Sequence, residues 1–256
     1  MFTRLSLIVL ISFLSHIIIY GQSGDMALIK GGFFKPLYLS DSGDVKVADF
    51  YLDVYPISNK EFEFFLTENP KWKKGKVIKL YADDHYLRQF DENSKLKEGI
   101  KPNAPVTNIS WFAARAYCDS QGKRLPTVDE WEYAARADEK STDATKKEGY
   151  TAYILSWYEK PNSYDQVIGS TYKNYWGIFD MHGLVWEWTY DYNSVLISGE
   201  SRQDLDENAN LFCGGAAVNA TDLQNYAAFM RYALRGSLKS NYSVNNLGFR
   251  CAKSTK

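Results

Sequence analysis

The stretch Asp180-Met-His-Gly-Leu-Val-Trp-Glu-Trp-Thr-Tyr-Asp-Tyr192 joins a turn to an aromatic, alternating segment and decides the fold. Alternate side chains of an extended strand share one face. We therefore expect Trp186 and Trp188 to point together into a core, while Glu187 points the opposite way, toward a turn that starts at Asp180. The stretch predicts a core strand with a carboxylate on its other face.

Backbone carbonyl groups of alternate residues also point the same way along a strand. The carbonyl oxygens of Gly183 and Val185 and the carboxylates of Asp180 and Glu187 could therefore converge on one point. Several hard oxygen ligands at one point suit Ca²⁺, so these four residues are a candidate metal site. The alternative is a tryptophan-rich core strand with a solvated Glu187 beside it, because short carboxylate motifs also occur by chance.

The N-terminus has the pattern of an export signal. Arg4 supplies a positive charge, an almost wholly apolar run extends from Leu5 to Tyr20, and small or polar residues follow from Gly21. The run is short for a membrane span. We expect residues 1–21 to be a signal peptide, with a periplasmic or secreted protein and no stable membrane span after cleavage. An uncleaved anchor is the alternative.

Removal of that segment leaves one large domain over residues 22–256. The formal charge is −1 for the whole chain and −2 for the mature part, because Arg4 is lost. A nearly neutral chain offers no electrostatic footprint for nucleic acid. Aromatic residues make up 16% of the chain, which permits a large core, and no linker or internal repeat divides it.

Three cysteines, Cys118, Cys213 and Cys251, permit at most one disulfide bond within the chain. An exported protein can form such a bond. No two of them form a Cys-x-x-Cys pair, so a zinc ribbon is not indicated. Cys118 lies on a predicted helix and is expected to be a buried small hydrophobic residue. Cys213 and Cys251 lie on predicted strands that could be neighbours and form the bond.

Local signals predict an α+β chain with few helices. Residues 26–55 alternate in the manner of half-buried strands. Ser58, Ser110 and Thr127 have the sequence context of helix N-caps. The three predicted helices run to about Glu68, Gln121 and Ala137. Residues 70–105 are polar and Lys-rich and are expected to be an exposed excursion, and the remainder is predicted to form turns and short strands.

Several blocks resemble a known family in their order and spacing. They are Pro105-Val-Thr-Asn-Ile-Ser-Trp-Phe-Ala-Ala-Arg-Ala-Tyr-Cys118, Lys123-Arg-Leu-Pro-Thr-Val-Asp-Glu-Trp-Glu-Tyr-Ala-Ala-Arg136, Trp176-Gly-Ile-Phe-Asp-Met-His-Gly-Leu-Val-Trp-Glu-Trp188, Gly214-Gly215 and Asn246-Leu-Gly-Phe-Arg-Cys-Ala252. The chain resembles the formylglycine-generating enzyme (sulfatase-modifying factor) family over about residues 26–254. The resemblance implies a C-type-lectin-like α+β domain with little regular secondary structure.

The resemblance strengthens the calcium hypothesis. The family binds structural Ca²⁺ at a turn whose matching positions here are Asp180, Gly183, Val185 and Glu187. Leu184 replaces a usual Asn, but that side chain is not one of the ligands. The resemblance therefore implies a structural calcium ion at these four residues.

The same resemblance argues against the oxidase chemistry of the family. Family oxidases bind Cu(I) through two cysteines shortly after the Gly-Gly pair and convert a substrate cysteine to formylglycine with O₂. Here Ala216 stands at the family's serine position, Asn219 stands at its first copper-ligand position, and residues 216–230 contain no cysteine. Cu(I) prefers thiolate ligands, so neither bound copper nor catalytic residues are expected.

Histidines and arginines offer no replacement for that site. The mature chain has two histidines, His85 and His182, which are expected to be solvated or neutral surface side chains, so a three-histidine iron site cannot form. There is no phosphate-binding Gly-rich loop and no nucleophile elbow. The framework arginines are expected to be buried partners of carboxylates such as Glu130: Arg124, Arg136, Arg231, Arg235 and Arg250.

The sequence leaves two hypotheses for function. In the first, the chain is an exported, non-catalytic accessory or binding protein, a pseudoenzyme that uses the former active-site groove, lined by residues 216–235. Its partner would be a glycan or another exported protein, and the run Asn225–Arg231 resembles relatives associated with copper nitrite reductases. In the second, it is an oxidoreductase of the same family with unrecognised chemistry. We favour the first, because the groove offers no evident nucleophile, base or metal ligands.

Overall fold

The computed structural model of the chain describes residues 25–36, 43–193 and 223–255. The predicted signal peptide and Cys213 lie outside the described residues. The strands are β1 (Met26–Ile29), β2 (Gly32–Phe34), β3 (Val45–Val47), β4 (Phe50–Asp53), β5 (Trp186–Glu187), β6 (Leu247–Gly248) and β7 (Ala252–Ser254). None of these strands exceeds four residues, and the prediction of an α+β fold with little regular secondary structure is confirmed.

The three-stranded antiparallel sheet brings the end of the domain beside its beginning. Its strand order is β1-β4-β7, so the C-terminal strand pairs with β4. Phe50 and Leu52 of β4 are buried and Tyr51 between them is exposed, as expected for a half-buried strand. A separate parallel pair, β5-β6, joins the decisive Trp186–Glu187 strand to the segment before Arg250.

Three helices begin where the sequence predicts them. They are α1 (Asn59–Glu68), α2 (Trp111–Ser120) and α3 (Val128–Ala135). The side chains of Ser58, Ser110 and Thr127 accept hydrogen bonds from backbone amides of the first turns, which satisfies donors that have no partner within a helix. No helix among the described residues is long and apolar enough to cross a lipid bilayer.

Two further helices are not predicted by the sequence patterns. Helix α4 (Tyr150–Tyr158) begins after Gly149, which has φ +79° and provides no capping side chain, so its start carries no recognisable signal. Helix α5 (Leu223–Ser237) falls in a part of the chain predicted to form turns and short strands. The two helices pack against each other, and both contribute to the candidate site.

Buried hydrophobic residues form two clusters, one around α1 and α2 and one around the three-stranded sheet and α3. The first cluster includes Trp72, Tyr86, Leu87 and Phe90. The prediction that residues 70–105 are an exposed excursion is therefore wrong for these side chains. Lysine is the commonest residue type of the segment. Some of the apolar residues between the lysines are buried with those of α1 and α2, whereas Ile78 and Leu80 are exposed.

One disulfide bond joins Cys118 to Cys251, whose Cα atoms are 5.6 Å apart. It corrects the expectation that Cys118 is an unpaired hydrophobic residue, and it excludes the possible pairing of Cys251 with Cys213. The topology gives the reason. Ala252 exchanges two backbone hydrogen bonds with Arg124, so the C-terminal strand runs along the segment that follows α2 and brings the two cysteines together.

Candidate functional site

The predicted calcium turn begins at Asp180, whose side chain is buried and holds backbone donors. Its two carboxylate oxygens accept hydrogen bonds from the amides of Gly169 and Thr171, at 2.5 and 3.0 Å. In return, the Asp180 amide donates to the Thr171 hydroxyl at 2.9 Å. Burial raises the pKa of Asp180, and the amide hydrogen bonds only partly oppose that effect. The carboxylate thus ties the turn to the segment before it.

The backbone of this turn is unusual. Asp180 and Leu184 have φ values of +61° and +59°, in the left-handed region that few non-glycine residues occupy. A Cβ atom at Gly183 would lie 2.4 Å from the Thr171 side chain and 3.1 Å from that of Trp157, so only glycine fits there. Strained backbone of this kind is frequent at functional sites, and here it lays the turn against the Trp157 ring.

Glu187, the last of the predicted calcium ligands, forms an ion pair with Arg250. Two nitrogens of Arg250 donate to its carboxylate at 2.8 Å each, and both side chains are 0% exposed. The Trp131 indole nitrogen also donates to Glu187, at 2.7 Å. The remaining donors of Arg250 reach the carbonyl oxygens of Asp53 and Phe179. The alternative prediction of a solvated Glu187 is therefore wrong.

These contacts bear on how well a calcium ion would fit. The charge of Glu187 is balanced by Arg250, and the Asp180 oxygens hold two amides. The Gly183 carbonyl accepts a hydrogen bond from the Val185 amide at 2.7 Å. A carboxylate has about four lone-pair sites, so a cation at the four residues would share oxygens with protein donors. Calcium at this turn stays a prediction, and these donors make the fit weaker than the sequence implies.

A second buried carboxylate, Glu132 of α3, holds two arginines from α5. Arg231 donates to it from Nε at 2.9 Å and from Nη2 at 2.7 Å, and Arg235 donates from Nη1 at 2.6 Å. Burial raises the pKa of Glu132, but the two guanidinium charges outweigh burial and lower that pKa to about 2. The cluster therefore carries two positive charges and one negative charge.

Trp131 lies between the two ion clusters and contacts both. Its indole nitrogen donates to Glu187, and its ring centroid lies 5.5 Å from the guanidinium carbon of Arg231 and 4.9 Å from that of Arg235. Cations near an aromatic face are attracted by the ring quadrupole. One tryptophan thus fixes the position of the first cluster relative to the second.

All five arginines that the sequence assigns to the framework pair with carboxylates. Three belong to the two buried clusters. Arg124 pairs with Glu130 at 2.7 Å, as predicted, although its side chain is partly exposed, and Arg136 pairs with Asp143. The prediction that these arginines pair with carboxylates is confirmed, but the expected burial is wrong for Arg124 and Arg136, whose side chains are 32% and 22% exposed.

His182 is buried inside the turn, which corrects the prediction of a surface imidazole. Its Nε2 lies 2.5 Å from the Ala135 carbonyl oxygen and 3.0 Å from the Tyr150 hydroxyl. Its Nδ1 has no hydrogen-bond partner among the described residues. Burial lowers the pKa of His182 to about 3, and the charge of Arg231 adds to that effect. The ring is therefore neutral at pH 7, as predicted.

The turn, α4 and α5 enclose a pocket of about 290 Å³. The rings of Tyr158 and Trp186 in its wall are 4.4 Å apart, and the Tyr158 hydroxyl accepts a hydrogen bond from Arg231 at 3.0 Å. An aromatic lining with a few placed polar groups is typical of ligand pockets. The lining includes aromatic rings, buried arginines and an exposed amide: Trp157, Tyr158, Trp186, Arg231, Arg235 and Asn245.

The pocket corresponds only in part to the groove that the sequence predicts at residues 216–235. Arg231, Leu234 and Arg235 of α5 line it, whereas residues 216–222 lie outside the described part of the chain. The sequence does not predict the α4 wall of the pocket, because α4 begins without a capping side chain. The spacing of Arg231 and Arg235, one helical turn apart, is the sequence signal that marks the other side.

The cysteines do not fit the copper site that the family resemblance implies. The chain has three cysteines, and the disulfide bond uses Cys118 and Cys251. Cys213 is the remaining thiol, whereas the family's Cu(I) site needs two thiolates, the ligands that Cu(I) prefers. Within the ranges that the structure describes, no three His, Cys, Asp or Glu side chains form a group that could hold a metal ion.

Known proteins are similar to this chain in sequence. A family model for the sulfatase-modifying factor enzyme 1-like domain matches residues 20–255. The chain is similar to inactive Cα-formylglycine-generating enzyme 2 of Bos taurus, at 26% identity over 91% of this chain and 89% of that protein. It is similar to the formylglycine-generating enzyme of Mus musculus, at 29% identity over 81% of this chain and 67% of that protein. Chaperone protein LppX of Paenibacillus barcinonensis is 29% identical over 67% of this chain and 73% of that protein.

Two solved structures share the fold at low sequence identity. PvdO from Pseudomonas aeruginosa has a TM-score of 0.50 and 17% identity, over 91% of this chain and 95% of that one. CarF has a TM-score of 0.51 and 15% identity, over 91% of this chain and 98% of that one. Both likenesses concern the architecture of the domain.

Proposed function

Since the chain belongs to the sulfatase-modifying factor enzyme 1-like family, we propose that it is an exported, non-catalytic member that binds another exported protein through the pocket. One observation carries the non-catalytic part. The Cys118–Cys251 bond leaves Cys213 as the remaining thiol. A single thiolate cannot supply the ligand pair of the family's Cu(I) site.

The pocket supports the binding part of the proposal. Tryptophan, tyrosine and arginine are the residue types that contribute most to protein interfaces, and all three occur in its lining. The chain's similarity to an inactive enzyme and to a chaperone protein supports a domain that holds a polypeptide without modifying it. The predicted signal peptide favours an exported partner, and a copper nitrite reductase is the candidate to which the run Asn225–Arg231 points.

A catalytic assay tests the first half. Purified residues 22–256 would be given Cu(I), O₂ and a cysteine-containing peptide, and aldehyde formation would be followed by mass spectrometry. We expect no aldehyde above a copper-only control, because the thiolate pair is absent. Copper-dependent aldehyde formation would overturn the non-catalytic proposal, because it is the oxidase chemistry of the family.

Partner capture from the native host tests the second half. The full-length protein, tagged at its C-terminus, would be cross-linked in cells and compared with Trp157→Ala in the pocket wall. Tyr175→Ala is the matched control, because Tyr175 is 54% exposed and lies outside the pocket lining. We expect a stoichiometric exported protein that is lost only with Trp157→Ala. Equal capture by all three proteins would reject the pocket as the binding site, and recovery of glycans alone would favour a lectin-like role.

A further inference from the structure

Charge in the pocket lining is not balanced. Arg231 and Arg235 line the pocket, whereas Glu132, the carboxylate that they share, does not. Glu187 also lines it, but Arg250 neutralises Glu187. The other charged residues of the lining are exposed and opposite in sign: Glu159 and Lys160. Counted over the described residues, one positive charge is left at the pocket.

Arg235 has hydrogen-bond donors to spare. A guanidinium group presents five N–H donors. Among the described residues, Arg235 makes one hydrogen bond, to Glu132, whereas Arg231 makes several to Glu132 and Tyr158. The Arg235 side chain is 5% exposed, and none of its nitrogens is among the fully buried side-chain atoms without a partner, so its other donors keep some access to solvent at the pocket. An acceptor group of a ligand would replace water at these donors and form charge-assisted hydrogen bonds with the guanidinium group.

The charge and geometry identify the acceptor. The planar fork of an arginine matches the two oxygens of a carboxylate or a phosphate. A carboxylate carries one negative charge, which equals the surplus at the pocket, whereas a phosphate monoester carries about −1.5 to −2 at pH 7. The aromatic rings of Trp157 and Trp186 lie in the same lining and offer an apolar surface beside the charge.

We infer that the pocket takes a polypeptide segment in which a carboxylate lies next to an apolar side chain, with Arg235 receiving the carboxylate. Two sources supply such a group, the C-terminus of a polypeptide and the side chain of an aspartate or glutamate. This inference rests on the proposed function and adds the chemistry of the bound segment. The volume of about 290 Å³ suits one or two side chains of such a segment.

Three short peptides separate these sources. The probes are N-acetyl-Phe-Leu with a free C-terminus, the same peptide as a C-terminal amide, and N-acetyl-Phe-Asp-amide. Binding to the full-length protein would be measured by calorimetry and by the fluorescence of the pocket tryptophans. We expect at least one carboxylate peptide to bind about tenfold or more tightly than the neutral amide. The tighter of the two carboxylate peptides identifies the source.

Two arginine substitutions make the test specific. Arg235→Gln should weaken carboxylate binding about tenfold or more and leave the neutral amide unchanged. Arg115→Gln removes the same charge from a partly exposed residue of α2 outside the pocket lining, and it should change neither. Circular dichroism would confirm that Arg235→Gln is folded. If it is not, Arg235→Lys, which keeps the charge but loses the planar fork, takes its place.

Each outcome decides the inference. Equal affinity for acid and amide peptides, or unchanged carboxylate binding by folded Arg235→Gln, overturns it. If the peptides then still lose affinity in Trp157→Ala, the pocket remains a binding site and the proposed function stands. Absence of binding by all three peptides at millimolar concentration also overturns the carboxylate assignment, and partner capture alone then decides the proposed function.

Discussion

Glu187 and Glu132 are both buried carboxylates held by arginines, but the charge around them differs. Glu187 has one arginine, Arg250, and the pair is closed to solvent. Glu132 has two, Arg231 and Arg235, and both line the pocket. The balanced pair joins the turn to the C-terminal segment, whereas the unbalanced cluster leaves a cation facing a cavity. Burial alone therefore does not distinguish these arginines, whereas the number of arginines that share one carboxylate does.

The largest effect is expected for the buried Glu187–Arg250 pair. Arg250→Gln leaves the buried carboxylate of Glu187 without a cation, so we expect a loss of about 3–5 kcal/mol in the free energy of unfolding. Urea denaturation would measure it. Arg124→Gln is the control, because its pair with Glu130 is partly exposed, and it should cost about 1 kcal/mol or less. A similar small loss for both variants would show that the Glu187–Arg250 pair contributes little to the free energy of unfolding.

The disulfide bond lies next to the Glu187–Arg250 pair, since Cys251 follows Arg250 in the chain. It closes a loop with a sequence separation of 133 residues. The double variant Cys118→Ala with Cys251→Ala should lose about 2–5 kcal/mol of stability, measured by guanidinium denaturation. Thiol titration of the denatured, unreduced wild-type protein should find one thiol, that of Cys213, and three thiols would rule out the bond.

The third prediction uses pH to probe His182, which is buried in the turn between Asp180 and Glu187. His182 has a pKa of about 3 in the folded protein, below its ordinary value of 6.5. The unfolded protein therefore gains a proton below about pH 6.5 that the folded protein does not bind until about pH 3. The stability that neutral His182 provides is present above pH 6.5 and falls by at most about 1.4 kcal/mol per pH unit as the pH decreases.

A comparison of variants isolates this contribution from that of the carboxyl groups. Urea denaturation at pH 7, 6 and 5 would be run on the wild-type protein and on His182→Gln, which should lack this pH-dependent loss. His85→Gln, at an exposed position, should retain it. Parallel pH profiles for wild type and His182→Gln would mean that the folded protein accommodates a charged imidazole at this site.

The parts of the fold that the sequence predicted are those that local chemistry determines. Ser58 and Thr127 form capping boxes with glutamates three residues later, and such pairs are visible in any short window of sequence. Helix α4 lacks a side-chain cap because it starts after Gly149, so the same reasoning could not find it. The ordered family blocks compensated for this, because they identify the architecture without needing every helix.

The candidate site depended on contacts between distant segments. Glu132 sits between two aromatic residues on α3 and has no sequence feature that shows its burial. Its partners, Arg231 and Arg235, lie 99 and 103 residues away. The segment that carries the two arginines was predicted to form turns and short strands, so their i, i+4 spacing did not contribute to the prediction. That spacing does not identify the carboxylate that they share. The Cys118–Cys251 bond has the same character, because it follows from the pairing of distant backbone segments.

The fourth prediction compares the clusters directly. Arg235→Gln leaves Glu132 with the guanidinium group of Arg231, so the carboxylate is still compensated. We expect a loss of about 1–2 kcal/mol, from one charged hydrogen bond, which is less than the loss for Arg250→Gln. The same urea denaturation measures both. Equal losses would show that Glu132 needs both arginines, and the surplus charge would then be structural.

The smallest expected effect concerns the predicted calcium ion. At a Ca²⁺ concentration about five times the dissociation constant, binding would stabilise the protein by about 1 kcal/mol, seen as a thermal shift that EDTA reverses. Asp180→Asn removes one anionic ligand and should abolish the shift. Asp84→Asn is the control, because that carboxylate is 89% exposed and lies outside the turn.

The calcium measurement decides whether ligand binding separates the Glu187–Arg250 pair from the Glu132 cluster. A calcium shift that Asp180→Asn abolishes would place Ca²⁺ at the turn that begins at Asp180, so the turn beside the Glu187–Arg250 pair would also be a binding site. A wild-type protein without any shift would mean that Arg250 and the backbone amides already supply the positive partners that the turn needs. The turn would then be held together by protein donors alone, and ligand binding would be left to the pocket that Arg235 lines.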